Sequence, residues 1–177
     1  MNILLTSAGR RGYLVEYFKE ALQGTGEVHV GNSTPLSPVF YYGDKSVVTP
    51  LIYDEDYIPF LKRYCKENQI TAIISLFDVD LYMLAQHREE FAKEGVTVIV
   101  SSPEVISVCN DKWETFQFCK REGLHTPKTY CRLEEVEAAI GAGELSYPVM
   151  IKPRWGMGSI AVYQAENEEE LEVLAKI

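Results

Sequence analysis

The sequence predicts an α/β protein with a parallel sheet, followed by a second, smaller α+β unit. Short apolar runs such as Asn2–Thr6 and residues 72–76 alternate with segments whose apolar residues recur at helical spacing. Strands that alternate with helices imply a mostly parallel sheet with helices on both faces. After residue 100 the alternation stops, and capped helices with one strand–glycine loop–strand segment follow. We therefore expect two units of different architecture.

The first unit is predicted to be Rossmann-like. After the first strand, the turn Ser7-Ala8-Gly9 leads into an amphipathic helix that ends near Gly24. Further apolar runs predict strands at residues 27–30, 46–49, 72–76 and 96–100. A helical face around Ile58 and Leu61 lies between the strands at 46–49 and 72–76, and a helix over residues 79–93 lies between the strands at 72–76 and 96–100.

The second unit is predicted to begin at residue 110, after a first domain of residues 1–109. Short helices begin at Pro103 and at Asn110-Asp111, an extended piece covers residues 126–131, and a helix covers residues 133–140. Residues 148–152 and 159–164 predict a hairpin around a glycine loop. Asn167, with Glu170 three residues later, predicts a capped last helix that runs to the end of the chain. We therefore expect this unit, residues 110–177, to be truncated.

Composition excludes several functional classes. The net charge of −9 argues against a nucleic-acid partner, because phosphate contacts need clustered Lys and Arg. No apolar run approaches the roughly 18–20 residues of a membrane span, and the start does not resemble a signal peptide, so we expect a cytoplasmic protein with no membrane partner. The cysteines and histidines lack the close pairs of a zinc site. We expect buried or half-buried free thiols at the four cysteines, Cys65, Cys109, Cys119 and Cys131.

Two polar segments of the first unit are candidates for substrate binding. Gly9, Arg10 and Arg11 precede the first helix, where backbone N–H groups and two arginines favour an anion, although solvated arginines on a tight turn are as good an explanation. The spacing is G-x-x-G, and no acidic residue ends the second strand, so a dinucleotide site is disfavoured. Asp78 and Asp80 follow the strand at 72–76, where α/β folds bind ligands; helix capping by Asp78 is the simpler alternative.

Two segments of the second unit are candidates for phosphate binding. Lys152 ends a predicted buried strand, and a buried lysine needs an anionic partner. The loop after it contains two glycines, whose backbone N–H groups can approach phosphate oxygens closely. A hairpin turn with an exposed lysine is the alternative. Lys112 lies at the start of a helix, and this alone indicates no function.

Taken together, these segments resemble the ATP-grasp superfamily. The Asp111-Lys112 helix start, the stretch from Gly123 to Pro127, the strand from Tyr147 to Pro153 and the Glu169-Glu170-Leu171 helix match its motifs in order. The stretch from Thr6 to Leu14 and the segment from Asp78 to Leu81 are similar to the pre-ATP-grasp domain of proteins related to the carbamoyl-phosphate synthase large subunit. The resemblance covers essentially the whole chain.

The resemblance implies an ATP-dependent carboxylate–amine ligase that forms an acyl phosphate and then transfers it to ammonia or an amine. ATP and a small carboxylate would be its ligands, with Mg²⁺ held by residues downstream of residue 177 and no metal ligands within this chain. The residues that it implies for nucleotide binding are Lys112, Lys152, Arg154, Gly156, Met157, Gly158 and Ser159. The loop Arg154–Ser159 is less glycine-rich than many ATP-grasp loops, so its closure can differ.

Several alternatives remain open. The chain can be a non-catalytic Rossmann-like module that works with a separate chain, or belong to an amino-acid ligase of the same superfamily. A homo-oligomer, or a partner chain that completes the ATP-grasp domain, is compatible with the sequence. We expect the isolated 177 residues to show no turnover and weak or undetectable nucleotide binding.

Overall fold

The computed structural model describes residues 1–176 and divides the chain into two units. The first unit comprises Met1–Ile106, and the second begins at Ser107. Helix α4 (Pro103–Asn110) contains the division. Within residues 1–176, no helix is long and apolar enough to cross a lipid bilayer.

The first unit is built on a five-stranded parallel sheet, as predicted. The strand order is β3-β2-β1-β4-β5, and every neighbouring pair is parallel. Its strands are β1 (Asn2–Thr6), β2 (Val28–Asn32), β3 (Lys45–Val48), β4 (Ile70–Ser75) and β5 (Thr97–Val98). Its helices are α1 (Gly12–Leu22), α2 (Tyr57–Glu67) and α3 (Asp78–Lys93), with a short 3-10 helix at Pro38–Tyr41.

Side chains of the central strands alternate between two hydrophobic cores. Ile3 and Leu5 of β1 are buried in the core that contains Val15 of α1, whereas Leu4, between them, is buried in the core that contains Leu61 of α2. This alternation follows from the period of two in a strand. Burying one such side chain stabilises a fold by roughly 1.5–3 kcal/mol, so both faces of the sheet must be covered. The helices therefore lie on both faces, as the sequence predicted.

The second unit consists of helices and one antiparallel hairpin, which confirms the predicted α+β architecture. Its helices are α5 (Lys112–Arg121), α6 (Leu133–Gly141) and α7 (Glu168–Leu174), and its strands are β6 (Val149–Ile151) and β7 (Tyr163–Ala165). Its small core contains Val149, Ala165 and Leu171, with partly buried neighbours from α6. Asn167 caps α7 by accepting a hydrogen bond from the backbone N–H of Glu170, as expected.

Three local expectations were wrong, and one open alternative was resolved. The second strand of the hairpin begins at Tyr163 rather than at residue 159, because Ser159 and Ala161 have φ values of 59° and 56°, which a strand cannot contain. Asp78 does not cap α3; it is the first helical residue, and Phe77 occupies the cap position. Lys152 is exposed, which agrees with the alternative of a hairpin turn with an exposed lysine. Cys109 and Cys131 are exposed, whereas Cys65 is buried and Cys119 half-buried.

Candidate functional site

The carboxyl ends of β1 and β4 form the first candidate region. These two strands are adjacent at the centre of the sheet, and the chain turns outward from them in opposite directions. Thr6, at the end of β1, is paired with Ser75, at the end of β4. Open α/β sheets bind ligands at this reversal of strand order. The predicted substrate residues Gly9, Arg10, Arg11, Asp78 and Asp80 all follow these two strands.

Asp80 lies in the interior at this point, and hydroxyl groups surround its carboxylate. Its Oδ2 accepts hydrogen bonds from Thr6 Oγ1 at 2.6 Å, Ser75 Oγ at 2.7 Å and Ser7 Oγ at 3.1 Å. Its Oδ1 accepts one from the Tyr57 hydroxyl at 2.7 Å. Asp80 is fully buried, and burial together with its negative charge raises the pKa of Tyr57. The carboxylate thereby joins the ends of β1 and β4 to the first turns of α2 and α3.

The loop between β1 and α1 is held by backbone contacts. Ser7 has a φ of 54°, and its hydroxyl donates to Asp80. The Gly9 carbonyl accepts hydrogen bonds from the Val39 N–H and the Ser37 hydroxyl, each at 3.2 Å. A Cβ at Gly12 would overlap the ring of Tyr42, so any larger residue at the start of α1 would have to displace that ring. The loop therefore has a defined shape before any ligand binds.

The two arginines of this loop differ in their contacts. Arg11 donates from Nη1 to the carbonyl of Leu76 at 3.2 Å, which links the loops that follow β1 and β4. Arg10 is exposed, and its side chain forms no ion pair or hydrogen bond with the other described residues, 1–176. Asp78 is also exposed, whereas Asp80 is not. Arg10 and Asp78 can therefore reach a ligand, and Asp80 can act only through its neighbours.

The second candidate region brings the start of α5 against residues 153–159, called the glycine loop below. The Lys112 backbone N–H donates to the Arg154 carbonyl at 3.1 Å. Lys112 Nζ donates to the Gly156 carbonyl at 2.8 Å. Two segments about forty residues apart in sequence thus meet through both the backbone and the side chain of one lysine.

Arg154 is bound by carboxylates of α5. Its Nε lies 2.8 and 2.7 Å from the two carboxylate oxygens of Asp111, and its Nη2 lies 2.7 Å from Asp111 Oδ2 and 3.3 Å from Glu114 Oε1. The Arg154 guanidinium lies over the Trp155 ring, 4.7 Å from its centroid. This guanidinium lowers the pKa of Asp111. Asp111 also caps α5, accepting from the N–H groups of Trp113 and Glu114.

The glycine loop contains exposed donors and an irregular backbone. Gly156 has a φ of 125°, a conformation that other residues rarely adopt, and Gly158 follows with a φ of 66°. Lys152 is exposed, and within residues 1–176 no carboxylate pairs with it. Ser159 is exposed, whereas Met157 is half-buried. A polyphosphate fits this donor set: ammonium groups and backbone N–H groups that glycine leaves accessible.

The described residues do not by themselves provide a complete set of magnesium ligands. Among residues 1–176, no group of three or more His, Cys, Asp or Glu side chains is arranged to hold a metal ion. The carboxylates beside the glycine loop, Asp111 and Glu114, are paired with Arg154. No catalytic step is therefore assigned to a metal held by this chain.

Family comparisons agree with this geometry. The family model described as "PylC-like, N-terminal domain" matches residues 3–99, and the "ATP-grasp domain" model matches residues 109–177. The chain belongs to the ATP-grasp superfamily, with a PylC-like N-terminal domain. This confirms the resemblance inferred from the sequence.

Individual relatives of this ATP-grasp chain share between 22% and 29% of its residues over the matched regions. It is 29% identical over 86 residues to the carbamoyl phosphate synthase large chain of Campylobacter jejuni, which covers 46% of this chain and 8% of the relative. Two solved structures, each 22% identical and matched over 99% of this chain, share the fold. The biotin carboxylase domain of Hydrogenobacter thermophilus 2-oxoglutarate carboxylase, in complex with MgADP, ADP and bicarbonate, has a TM-score of 0.71. The L-amino acid ligase of Bacillus licheniformis has a TM-score of 0.69.

This ATP-grasp chain spans less than half the length of each of these proteins. It covers 39% of the biotin carboxylase chain and 41% of the amino acid ligase. The fold similarity extends across both units, since almost the whole chain is matched in each case.

Sequence reasoning missed the partners of the two carboxylates. Asp111 was identified as a cap and not as the partner of Arg154, and Tyr57, Thr6 and Ser75 were not linked to Asp80. Each bond joins residues of different elements, so the local pattern carries no signal for it.

A groove of about 710 Å³ in the second unit, beside α5, is lined by residues such as Trp113 and His125. None of the predicted site residues lines it.

Proposed function

We propose that this chain supplies the phosphate-binding part of an ATP-dependent carboxylate–amine ligase. In this proposal, Lys112 and Lys152 contact nucleotide phosphates, and Gly156, Met157, Gly158 and Ser159 form the loop that covers them. The observation that carries the proposal is the pair of bonds from Lys112 to the glycine loop. These bonds bring together two of the motifs from which the family resemblance was inferred.

The proposed reaction has two steps. A carboxylate oxygen attacks the γ-phosphorus of ATP, and the bond to the β-phosphate oxygen breaks, which gives an acyl phosphate and ADP. An amine nitrogen then attacks the acyl carbon, phosphate leaves with the bonding electrons, and the nitrogen loses a proton. Positive groups at the transferring phosphoryl stabilise such a step. Lys152 suits this role because no protein carboxylate neutralises it within the described residues.

A carbamoyl-phosphate-synthase-like reaction, with bicarbonate as the first carboxylate, is the version that we favour. The sequence similarity to the Campylobacter carbamoyl phosphate synthase large chain supports it. An amino-acid ligase is the second candidate, and the similarity of fold to the Bacillus amino acid ligase is the observation in its favour. In both versions Gly9, Arg10 and Arg11 are proposed to bind the anionic substrate, with Arg10 as the available cation.

Two properties of the purified chain test this proposal. Affinity should fall in the order ATP, ADP, AMP, because the site is proposed to recognise phosphates, and all three affinities should be weak. ATP hydrolysis should be absent, since the described residues hold no metal site. Equal binding of AMP and ATP would contradict phosphate recognition. Robust hydrolysis that Lys152→Ala abolishes would show that the catalytic machinery is more complete than proposed.

A further inference from the structure

We infer that Arg154 is a positioning residue: it holds the glycine loop on the start of α5 through Asp111 and does not itself bind phosphate. The inference rests on the proposed function, because it assigns a role within the same phosphate site. It differs from the family-based expectation, in which Arg154 would be one of the cations that bind the nucleotide.

The first support is that two of the three guanidinium nitrogens of Arg154 already contact carboxylates. Nε and Nη2 contact both oxygens of Asp111 within 2.8 Å, and Nη2 also reaches Glu114. Charge-assisted bonds of this two-pronged kind are the strongest hydrogen bonds in proteins. The Asp111 side chain is only 8% exposed, so water screens the pair less than it would a surface ion pair. Because these two carboxylates already neutralise the guanidinium charge, it attracts a phosphate less strongly than an unpaired cation does.

The second support is that little else attaches α5 to the loop. No residue of α5 is fully buried, and its apolar side chains Trp113 and Phe116 are only half-buried, so its polar contacts matter more for its position. The contacts that join its first turn to the loop are the Asp111–Arg154 pair, the Glu114–Arg154 contact and the two bonds of Lys112. Lys112 directly follows Asp111 in the chain. Holding Arg154 on Asp111 therefore also holds Lys112 beside Gly156.

The consequence is a division of labour among three cations. Arg154 fixes the loop, whereas Lys112 and Lys152 remain for the ligand. Lys112 Nζ donates to a neutral carbonyl, which a phosphate oxygen can replace at little electrostatic cost. Lys152 has no competing carboxylate within the described residues.

Cleavage of the loop by chymotrypsin, without nucleotide, tests the inference. Trp155 is 62% exposed and offers a cleavage point inside the loop. Asp111→Asn keeps a good helix cap but removes the charge, and Arg154→Gln removes the other partner. Each should raise the rate of cleavage after Trp155 about five- to tenfold, the effect of losing a partly exposed charge-assisted contact of about 1 kcal/mol or slightly more. Arg154→Lys should be intermediate, because an ammonium group cannot reproduce the two-pronged contact.

The double variant and a matched control complete this experiment. Because both residues act through one contact, Asp111→Asn with Arg154→Gln should be cleaved no faster than the faster single variant. Glu144→Gln removes an exposed ion pair with Lys128 in the same unit and should leave cleavage after Trp155 unchanged. Cleavage rates like those of the unaltered chain in either single variant, or multiplied effects in the double variant, would overturn the inference.

Binding of inorganic tripolyphosphate separates positioning from direct contact. If Arg154 acts through Asp111, both Asp111→Asn and Arg154→Gln should weaken binding by a similar factor. If Arg154 contacts phosphate directly, Arg154→Gln should weaken tripolyphosphate binding. Asp111→Asn, which frees the guanidinium, should then leave tripolyphosphate binding unchanged or tighten it. That pair of results would overturn the inference. The proposed function can fail separately from this inference. Tripolyphosphate binding that does not depend on Lys152 would contradict the proposed phosphate site, whereas the cleavage rates, measured without nucleotide, would still report the contact between Arg154 and Asp111.

Discussion

Replacing Asp80 by alanine is expected to destabilise the first unit strongly. The carboxylate accepts four hydrogen bonds from hydroxyl groups, at 2.6 to 3.1 Å. Hydrogen bonds to a charged group contribute about 1.5–3 kcal/mol each, so simple addition gives roughly 6–12 kcal/mol. This sum is an upper limit, because the substitution also removes the cost of burying a charge, which is several kcal/mol. The substitution also leaves the hydroxyl groups of Thr6, Ser75 and Tyr57 without their acceptor, which costs about 1–3 kcal/mol for each one that finds no other partner, and we expect a net loss of about 3–5 kcal/mol.

Urea unfolding, followed by circular dichroism and by hydrogen exchange at β1 and β4, measures this effect. With a urea dependence of about 1–3 kcal/mol per molar, a loss of about 3 kcal/mol lowers the midpoint by roughly 1–3 M. Tyr57→Phe removes one of the four hydroxyls and should cost only about 1–2 kcal/mol. Asp78→Ala is the matched control: this exposed neighbour in the same helical turn should cost about 0.3–1 kcal/mol. Equal losses for Asp80→Ala and Asp78→Ala would refute the reasoning.

Three further predictions concern the loops and the thiols. Gly12→Ala should lower the urea midpoint, since its Cβ would displace the ring of Tyr42; the loss should be at most about 1–3 kcal/mol, because Tyr42 is 42% exposed and its ring can move. An unchanged midpoint would contradict this packing. The contribution of Asp111 to loop protection should be complete above the ordinary aspartate pKa of about 3.9 and be lost as the pH falls through its lowered folded value. In the unaltered chain, the rate of pepsin cleavage in the loop should rise as the pH falls through this range. In the Asp111→Asn variant, the cleavage rate should not show this pH-dependent rise. Burial raises the pKa of Cys65 to about 12, so this thiol should react slowly. At mildly alkaline pH, Ellman's reagent should modify the exposed Cys109 and Cys131 first, and Cys65 only after unfolding. Early modification of Cys65 would contradict its burial.

The sequence predicted the framework well because local patterns determine it. Apolar runs such as residues 72–76 and the helical spacing that follows them report which faces are buried, and burial is the main driving force of folding. The hairpin and the cap at Asn167 were likewise predicted from short motifs. Element ends were less predictable: residues 159–162 contain apolar side chains, yet positive φ values at Ser159 and Ala161 keep them out of β7.

The functional details depended on contacts between distant residues. Asp80 was predicted at the correct edge of the sheet, but its burial follows from hydroxyl groups on three other segments. The pairing of Arg154 with Asp111 spans 43 residues, and nothing in either segment indicates it. Because Lys152 ends an apolar run, the sequence left both a buried and an exposed side chain open; the hairpin has only a small core behind it, and the side chain lies in solvent. These interactions are tertiary, so a one-dimensional pattern does not encode them.

The most direct test of the central claim is to map, by NMR, which backbone amides of the chain respond to ATP. The account predicts weak, saturable shifts concentrated at Lys112, Lys152 and Gly156–Ser159. Lys152→Ala should abolish these shifts, and Lys128→Ala, which removes an exposed lysine of the same unit, should not. Shifts confined to other parts of the chain, or shifts at the glycine loop that persist in Lys152→Ala, would contradict the assignment of the phosphate site.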